Sequence, residues 1–256
     1  MTTKTLKERF VFYFDTFRFI WGMFKIVRNP KDISPIFNVR SFRNHKSLQV
    51  ALESVNSVPE IKELIDNRYL SPKPYDLDEM IKYPEGSLGK VYAEHMKKYN
   101  LDVVFYPEMD SKVDDDINYL RMRARQTHDI HHVVLGFPAV DFGEMCISAF
   151  YLSQNRIPLS GFLLGVGFFI TMLKQPSRID ELVNCIIKGW TMGKKAKYFL
   201  GVKWEDYFDK PIDEVRKYLN VYVEGEYDPT KVDESENFKY PSFIEAKKEL
   251  EVAQVN

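Results

Sequence analysis

The sequence predicts an all-α fold, built as a single multi-helix domain with peripheral ends. Most of the chain repeats apolar residues at spacings of three and four, which is the period of an amphipathic helix. No set of alternating segments indicates paired strands, and no internal repeat is visible. Hydrophobic residues make up 45% of the 256 positions, so a chain of this length can bury a core without disulfide or metal staples.

The N-terminal region is predicted to form one aromatic-rich helix over residues 6–27. Asn29-Pro30 ends this helix, because the residue before a proline disfavours the helical backbone. Two interpretations stay open: a helix that lies on a membrane surface or a partner, and a helix that packs on its own domain, which we favour. Its large apolar side chains recur at spacings of three and four: Phe10, Phe14, Phe17 and Trp21.

Composition divides the chain into three parts. We predict an N-terminal amphipathic helix in residues 1–30, a helical domain in 31–227 and a polar, proline-punctuated tail in 228–256. Turn and capping signals separate the helices inside the domain. The predicted helices cover 47–67, a segment from the 84–89 turn to Tyr99, 117–135, 141–154, 157–173, 178–200 and 211–222.

The middle of the chain carries the clearest helix signals. Acidic residues at 114–116 suit the positive end of the helix dipole before 117–135, and Gly136-Phe137-Pro138 ends that helix. Asp141 is placed to cap the next one. The apolar run 157–173 falls short of the roughly 20 residues that span a bilayer, so we expect a buried helix or one that dips into the interface.

Composition also excludes several classes of protein. The net charge is −1, and without a basic face or an aromatic-basic motif nothing supports nucleic-acid binding. Glycine is scarce and forms no phosphate-binding loop. Cys146 and Cys185 lie in apolar helical context, which is typical of two reduced core thiols in a reducing compartment. No secretory signal peptide is apparent.

Residues 128–132 hold three of the five histidines. His128 and His132 are four apart, so they share one helix face about one turn from each other. A helical His-x-x-x-His pair with carboxylates is a common way to bind a divalent metal, and Zn²⁺ is expected. The Gly136-Phe137-Pro138 break lets the next helix fold back toward the pair, so we predict that two central antiparallel helices carry the metal motif. The predicted metal ligands are His128, Asp129, His132 and Glu144.

Other residues of the same helix are predicted to have further roles at the site. It presents a polar stripe in which Arg121 and Arg125 face an anionic head group beside the metal. Asp129 and His131 are candidates for proton transfer. Ordinary structural roles stay open as well, because Asp129 could pair with Arg125 at i,i+4, and Asp141-x-x-Glu144 could be a capping box.

The ligand pattern, His-Asp-x-x-His-x11-Glu, resembles the metal motif of the coenzyme Q (ubiquinone) biosynthesis family to which the fourth Coq protein belongs. The turn Pro84-Glu85-Gly86-Ser87-Leu88-Gly89 is similar to the Pro-Glu-Gly-[ST]-[LF]-Gly turn of that family. The resemblance covers roughly residues 30 to 220. Further positions that fit the family pattern are Tyr119, Arg123, Arg125, Gly143-Glu144, Pro158 and Trp204-Glu205.

The resemblance implies a helical protein that dimerises, lies on a membrane and binds zinc through this motif. It implies a role in the late steps of polyprenyl-quinone synthesis, in which the protein holds a lipid intermediate, organises other enzymes and carries out oxidative removal of the ring C1 carboxylate. The implied partners are an isoprenoid or prenylated quinone precursor, a membrane surface, a second copy and other quinone-biosynthesis enzymes. Residues 1–30 lack a clear mitochondrial presequence, so we expect a bacterial or divergent homologue.

We therefore predict a prenyl-lipid-binding, metal-dependent protein that is cytoplasmic and peripheral to the membrane, or on the matrix side of the inner mitochondrial membrane in a eukaryotic member. A non-catalytic scaffold and a metal-dependent phosphohydrolase are the alternatives. The apolar run could equally be a core or dimer-interface helix. The residues predicted to contact the lipid tail are Leu159, Phe162, Leu163, Val166, Phe169 and Ile170.

Overall fold

The computed structural model describes residues 46–71, 74–103, 115–139 and 141–223, together with helical residues at 13, 14, 17, 21 and 25. From residue 46 onward these ranges contain nine α-helices, three short 3-10 helices and no strand, which confirms the all-α prediction. The helices are α1 (Lys46–Asn56), α2 (Pro59–Asp66), α3 (Leu77–Met80), α4 (Leu88–Lys98), α5 (Asp116–Leu135), α6 (Asp141–Asn155), α7 (Pro158–Lys174), α8 (Ile179–Lys195) and α9 (Ile212–Tyr218).

Helix α5 begins and ends where its sequence signals indicate. The Asp115 side chain accepts a hydrogen bond from the Asn118 backbone N–H at 2.8 Å, which satisfies one of the free donors of the first turn. Gly136 then takes a left-handed conformation with φ 68°, which costs a glycine little and stops the helix. The predicted helix over 117–135 is therefore confirmed.

Three of the predicted helices have different bounds in the structure. The segment 47–67 forms two helices, because Pro59 cannot continue the first and instead starts the second. The helix predicted over 178–200 ends at Lys195 and is followed by a 3-10 turn at Phe199–Gly201. The helix predicted over 211–222 is the shorter α9.

Several predictions concern residues that the structure describes only in part or not at all. Of the helix predicted over 6–27, five residues are described, and all five are helical and exposed. The tail 228–256 lies outside the described residues. The domain boundaries near residues 30 and 227 and the antiparallel arrangement of α5 and α6 stay predictions.

The turn at 84–89 is held by backbone hydrogen bonds to a distant segment. The N–H of Leu88 donates to the carbonyl of Lys210 at 2.9 Å, and the N–H of Gly89 donates to the carbonyl of Phe208 at 2.8 Å. A Cβ at Gly89 would overlap this Phe208 carbonyl and the Tyr83 ring. The turn therefore needs glycine there to dock α4 against the segment before α9.

The main hydrophobic core joins α4, α5 and α6 to the segment 199–221. Phe150, Phe199 and Trp204 pack edge to face in its centre, with ring centroids 4.7 Å and 5.2 Å apart along that series. Arg123 of α5 is 1% exposed and donates to the Val202 carbonyl at 2.6 Å. The core and this buried arginine fix the side of α5 that faces away from solvent.

Helices α6 and α8 approach each other most closely at Gly189. A Cβ there would overlap the carbonyl oxygen of Cys146 on α6. Cys185 lies one turn earlier on α8, and neither cysteine forms a disulfide. Among the helices that the structure describes, none is both long and apolar enough to cross a bilayer.

We predict that Gly189→Ala destabilises the fold by about 1–3 kcal/mol, because the added methyl group forces the backbones of α6 and α8 apart. Gly165→Ala is the matched control, since a Cβ at Gly165 meets no atom within 4 Å. That change should be neutral or stabilise by up to about 1 kcal/mol through helix propensity. Urea denaturation measures both free energies of unfolding. Equal stabilities for the two variants would contradict the close approach at Gly189.

Candidate metal centre

The candidate site is formed at the short connection between α5 and α6. His128 and His132 lie one turn apart on α5, and Glu144 lies in the first turn of α6. A Cβ at Gly143 would overlap the Pro138 carbonyl oxygen. Glycine at 143 therefore lets the first turn of α6 lie directly against the connecting loop, which brings the Glu144 carboxylate to the two imidazoles.

Three side-chain atoms converge at this point. The Glu144 Oε1 atom lies 3.1 Å from His132 Nε2, and Glu144 Oε2 lies 3.5 Å from His128 Nε2. The two Nε2 atoms are 3.1 Å apart. These separations are close to the roughly 3.3 Å between donor atoms that metal bonds of about 2.0–2.1 Å give in a tetrahedral site. Within the described ranges, this is the group of His, Cys, Asp or Glu side chains whose donors could hold a metal ion.

The site has a dry inner side and an open outer side. The His132 side chain is 0% exposed, whereas the side chains of His128 and Glu144 are 33% and 40% exposed. Three protein donors on a partly open surface leave room for a water molecule or a substrate atom at the ion, as in catalytic zinc sites.

The nitrogens that do not face the site also have hydrogen-bond partners. His132 Nδ1 lies 3.0 Å from the Phe137 carbonyl oxygen. A carbonyl can only accept, so His132 Nδ1 carries the proton and Nε2 keeps its lone pair for a metal. His128 Nδ1 lies 3.3 Å from the Tyr151 hydroxyl. The donor set and its supporting contacts therefore fit a divalent cation.

Comparison with known proteins identifies the family. The profile of the family described as "Coenzyme Q (ubiquinone) biosynthesis protein Coq4" matches residues 22–224. The chain belongs to the Coq4 family. The membership predicted from the His-Asp-x-x-His-x11-Glu pattern is thus confirmed.

Individual relatives agree with this assignment. The mitochondrial ubiquinone biosynthesis protein COQ4 of Yarrowia lipolytica is 26% identical over 154 residues, which cover 59% of this chain and 57% of the relative. A mitochondrial COQ4 homologue of Nematostella vectensis is 30% identical over 149 residues, which cover 57% of this chain and 71% of the relative. The match spans about half the length of several curated relatives.

A solved structure supports the fold of the Coq4 chain as well. The crystal structure of a protein from Nostoc punctiforme, provisionally assigned to ubiquinone biosynthesis, has a TM-score of 0.72 and 32% sequence identity. The similarity covers 82% of this chain and 97% of the Nostoc chain.

In the Coq4 motif, the pKa values of the Glu144 carboxyl and of the histidine rings depend on each other. Burial alone would raise the pKa of the Glu144 carboxyl, but the charge of His132 and hydrogen bonds from both rings, in their protonated forms, hold that pKa well below its usual value. Burial also opposes protonation of His128, yet the Glu144 hydrogen bond and charge raise the pKa of His128 to about 8. Without a metal, a proton on His128 therefore neutralises the carboxylate, and a bound cation would displace it.

Asp129 lies near the three converging donors but is not one of them. Burial, with a contribution from the Glu144 charge, raises the pKa of Asp129, while the two histidine ligands oppose the shift. Its negative charge also helps raise the pKa of Tyr92 on α4. The role of Asp129 as a fourth ligand or a proton-transfer group stays a prediction.

The other predicted polar site residues on α5 differ in how deeply they are buried. His131 is 0% exposed, and burial holds its pKa well below the usual value, so it is neutral. Arg121 and Arg125 are half-buried on α5, and each already interacts with another group. Their predicted role in binding a head group is untested.

The predicted lipid-tail residues divide between two sides of α7. Val166 and Ile170 are buried, Phe162 and Leu163 are half-buried, and Leu159 and Phe169 are exposed. Further apolar side chains on α7 and α8 are exposed as well. They are Phe168, Met172, Leu173, Val183, Ile187 and Trp190. One side of α7 therefore belongs to the core, while its other side and part of α8 present apolar surface.

Sequence reasoning missed Tyr151, which contacts two histidines of the site. Its spacing of seven from Glu144 places both residues on the same face of α6. That periodicity was the available signal, but an aromatic residue on an apolar helix is indistinguishable by sequence from ordinary core.

Proposed function

We propose that this protein is a metal-dependent enzyme of polyprenyl-quinone biosynthesis that removes the C1 carboxylate of a prenylated hydroxybenzoate oxidatively. The observation that carries the proposal is the convergence of His128, His132 and Glu144 in a chain of the Coq4 family. The names of its relatives place those proteins in ubiquinone biosynthesis. Zn²⁺ is the proposed ion, because it accepts imidazole and carboxylate donors in an open tetrahedral site.

The residues around the ion suit chemistry on an aromatic acid. His128, His132 and Glu144 would hold the cation, and a divalent ion there supplies a Lewis acid that polarises an oxygen of the ring substituents. Asp129 is the proposed proton carrier, since burial raises its pKa. Replacing the ring carboxylate by a hydroxyl releases CO₂, two protons and two electrons when water supplies the hydroxyl oxygen. Dioxygen is the proposed oxidant, which would accept these electrons and protons to form hydrogen peroxide.

The exposed apolar sides of α7 and α8 support a lipid substrate and a membrane surface. An exposed apolar patch commonly marks an interaction site. Each Å² of apolar area that a prenyl chain or an acyl layer covers contributes about 25 cal/mol. The exposed aromatic side chains Phe14, Phe17 and Trp21 of the N-terminal helix would add to the same kind of contact. We propose peripheral binding at the membrane, with a second copy as a competing partner for the patch.

A non-catalytic scaffold is the second candidate. Its supporting observation is that the three donors lie on two different helices, so an ion there would lock α5 to α6. In that case the protein would hold the prenylated intermediate and other enzymes of the pathway without turnover. The phosphohydrolase alternative lacks the further Asp and His ligands it needs among the donors that converge in the described ranges.

For the metal site, we predict that the wild-type protein, reloaded with Zn²⁺ after chelation, binds one ion per chain, while Glu144→Gln and His132→Ala bind close to none. Elemental mass spectrometry of the dialysed proteins measures the stoichiometry. Glu181→Gln is the matched control, because Glu181 is also partly exposed but pairs with Arg178 at the start of α8 and not with a histidine. One tightly bound ion in both site variants would refute the ligand assignment.

For the reaction, we predict that the zinc-loaded protein in lipid vesicles releases labelled CO₂ from a prenylated 4-hydroxybenzoate labelled at the carboxyl carbon, under air. Glu144→Gln should lower the rate by at least about 10²-fold, the scale of a lost electrostatic stabiliser. Anaerobic buffer is the control for the oxidant. If the wild-type protein binds the prenylated lipid but releases no CO₂, the result would support the scaffold and contradict the enzyme.

For the membrane surface, we predict that the double substitution Leu173→Glu and Ile187→Glu weakens sedimentation with phospholipid vesicles at least about tenfold, because two charges would have to enter the apolar boundary. The two side chains are 61% and 57% exposed, so the fold should tolerate the change. Tyr222→Glu, at a side chain that is 79% exposed, is the control. Unchanged sedimentation of the double variant would exclude α7 and α8 as the docking surface.

A further inference from the structure

Tyr151 makes the contacts that distinguish the two histidine ligands from each other. Its hydroxyl lies 3.3 Å from Nδ1 of His128 and 2.5 Å from Nδ1 of His131. Tyr151 and Glu144 share one face of α6, so the same helix meets the His128 ring at both nitrogens, through the hydroxyl at Nδ1 and the carboxylate at Nε2.

The direction of these hydrogen bonds decides whether His128 can bind a metal. A tyrosine hydroxyl has one proton to donate and can also accept. If it donated to His128 Nδ1, the neutral His128 ring would carry its proton on Nε2, where the metal must bind. If it accepts from His128 Nδ1, the lone pair of Nε2 is available to the ion.

His131 provides the reason for the second direction. Its ring is fully buried and packs against Phe199 and Trp204, with ring centroids 5.1 Å and 5.3 Å away. Its Nε2 has no hydrogen-bond partner. Beside aromatic rings an N–H is tolerated better than a lone pair, because the faces of the rings are negative. His131 therefore carries its proton on Nε2 and accepts at Nδ1, which draws the Tyr151 proton away from His128.

We propose that Tyr151 is a positioning residue that, with His131 behind it, keeps the proton of His128 on Nδ1 and so presents Nε2 to the metal. The proposal rests on the proposed metal function. It also explains why the two ligands differ in support. His132 needs a single partner, since the Phe137 carbonyl only accepts. A hydroxyl can either donate or accept a hydrogen bond, so the position of the His128 proton depends on both Tyr151 and His131.

The test uses Tyr151→Phe, which removes the hydroxyl and keeps the ring. Zinc affinity is measured by competition with a chromophoric chelator. The variant should bind zinc about 10–100-fold more weakly, the usual effect of losing a partner of a metal-bound histidine. Tyr119→Phe is the matched control, because Tyr119 is also buried on the motif helix and its hydroxyl donates to the Tyr69 carbonyl at 3.0 Å. Its zinc affinity should equal that of the wild type.

A second measurement needs no metal. Nitrogen NMR of the histidine-labelled, metal-free protein in alkaline buffer reports which nitrogen of neutral His128 holds the proton. We expect Nδ1–H in the wild type and in Tyr119→Phe, and a shift toward Nε2–H in Tyr151→Phe. Urea denaturation of the same samples shows whether the two Phe variants lose similar stability.

The outcomes separate the inference from the function on which it rests. Weaker zinc binding together with the tautomer change supports it. Wild-type affinity in Tyr151→Phe with the His128 proton still on Nδ1 overturns it, although the metal site would stand. If the wild-type protein binds no zinc, the proposed function fails, and the metal-free spectra alone decide whether Tyr151 sets the His128 tautomer.

Discussion

The site depends on one constraint, the approach of the Glu144 carboxylate to two imidazoles across the short connection between α5 and α6. Gly136 allows the left-handed turn that ends α5, and Gly143 allows α6 to start against the Pro138 carbonyl. A side chain at Gly143 would overlap that carbonyl oxygen and would force the first turn of α6, with the Glu144 carboxylate, away from the loop. The same connection places the Phe137 carbonyl as the acceptor for His132. Local backbone geometry thus sets both the ligand positions and the proton position on one ligand.

The charges of the site balance each other before any metal binds. The carboxylate has a lowered pKa and the adjacent His128 a raised one, so a proton occupies the position between them at neutral pH. The donors already stand 3.1–3.5 Å apart, close to the spacing that a bound ion requires. Binding of a metal ion would displace the proton of His128, with little rearrangement of the chain. Metal affinity should therefore depend on pH, through the proton that the ion displaces, more than on movement of the chain.

The sequence predicted local features well and long-range contacts poorly. The bounds of α5 follow from Asp115 and Gly136, and His128 and His132 follow from helical spacing. The break inside 47–67 was missed, although Pro59 was a local signal for it because proline suits the first turn of a new helix. By contrast, the partner of Arg123 is a carbonyl 79 residues away, which no local pattern specifies. Tyr151 was missed for the same reason, since its role depends on contacts with His128 and His131, which lie on another helix.

The exposure of the donors favours a catalytic ion over a structural one. Structural zinc sites are closed by four protein ligands, whereas catalytic sites keep one position for water or substrate. Here three donors converge, and the side chains of two of them, His128 and Glu144, are 33% and 40% exposed. An ion that served only to join α5 and α6 would gain from complete burial. The open side would instead give a water molecule or a substrate atom access to a bound ion.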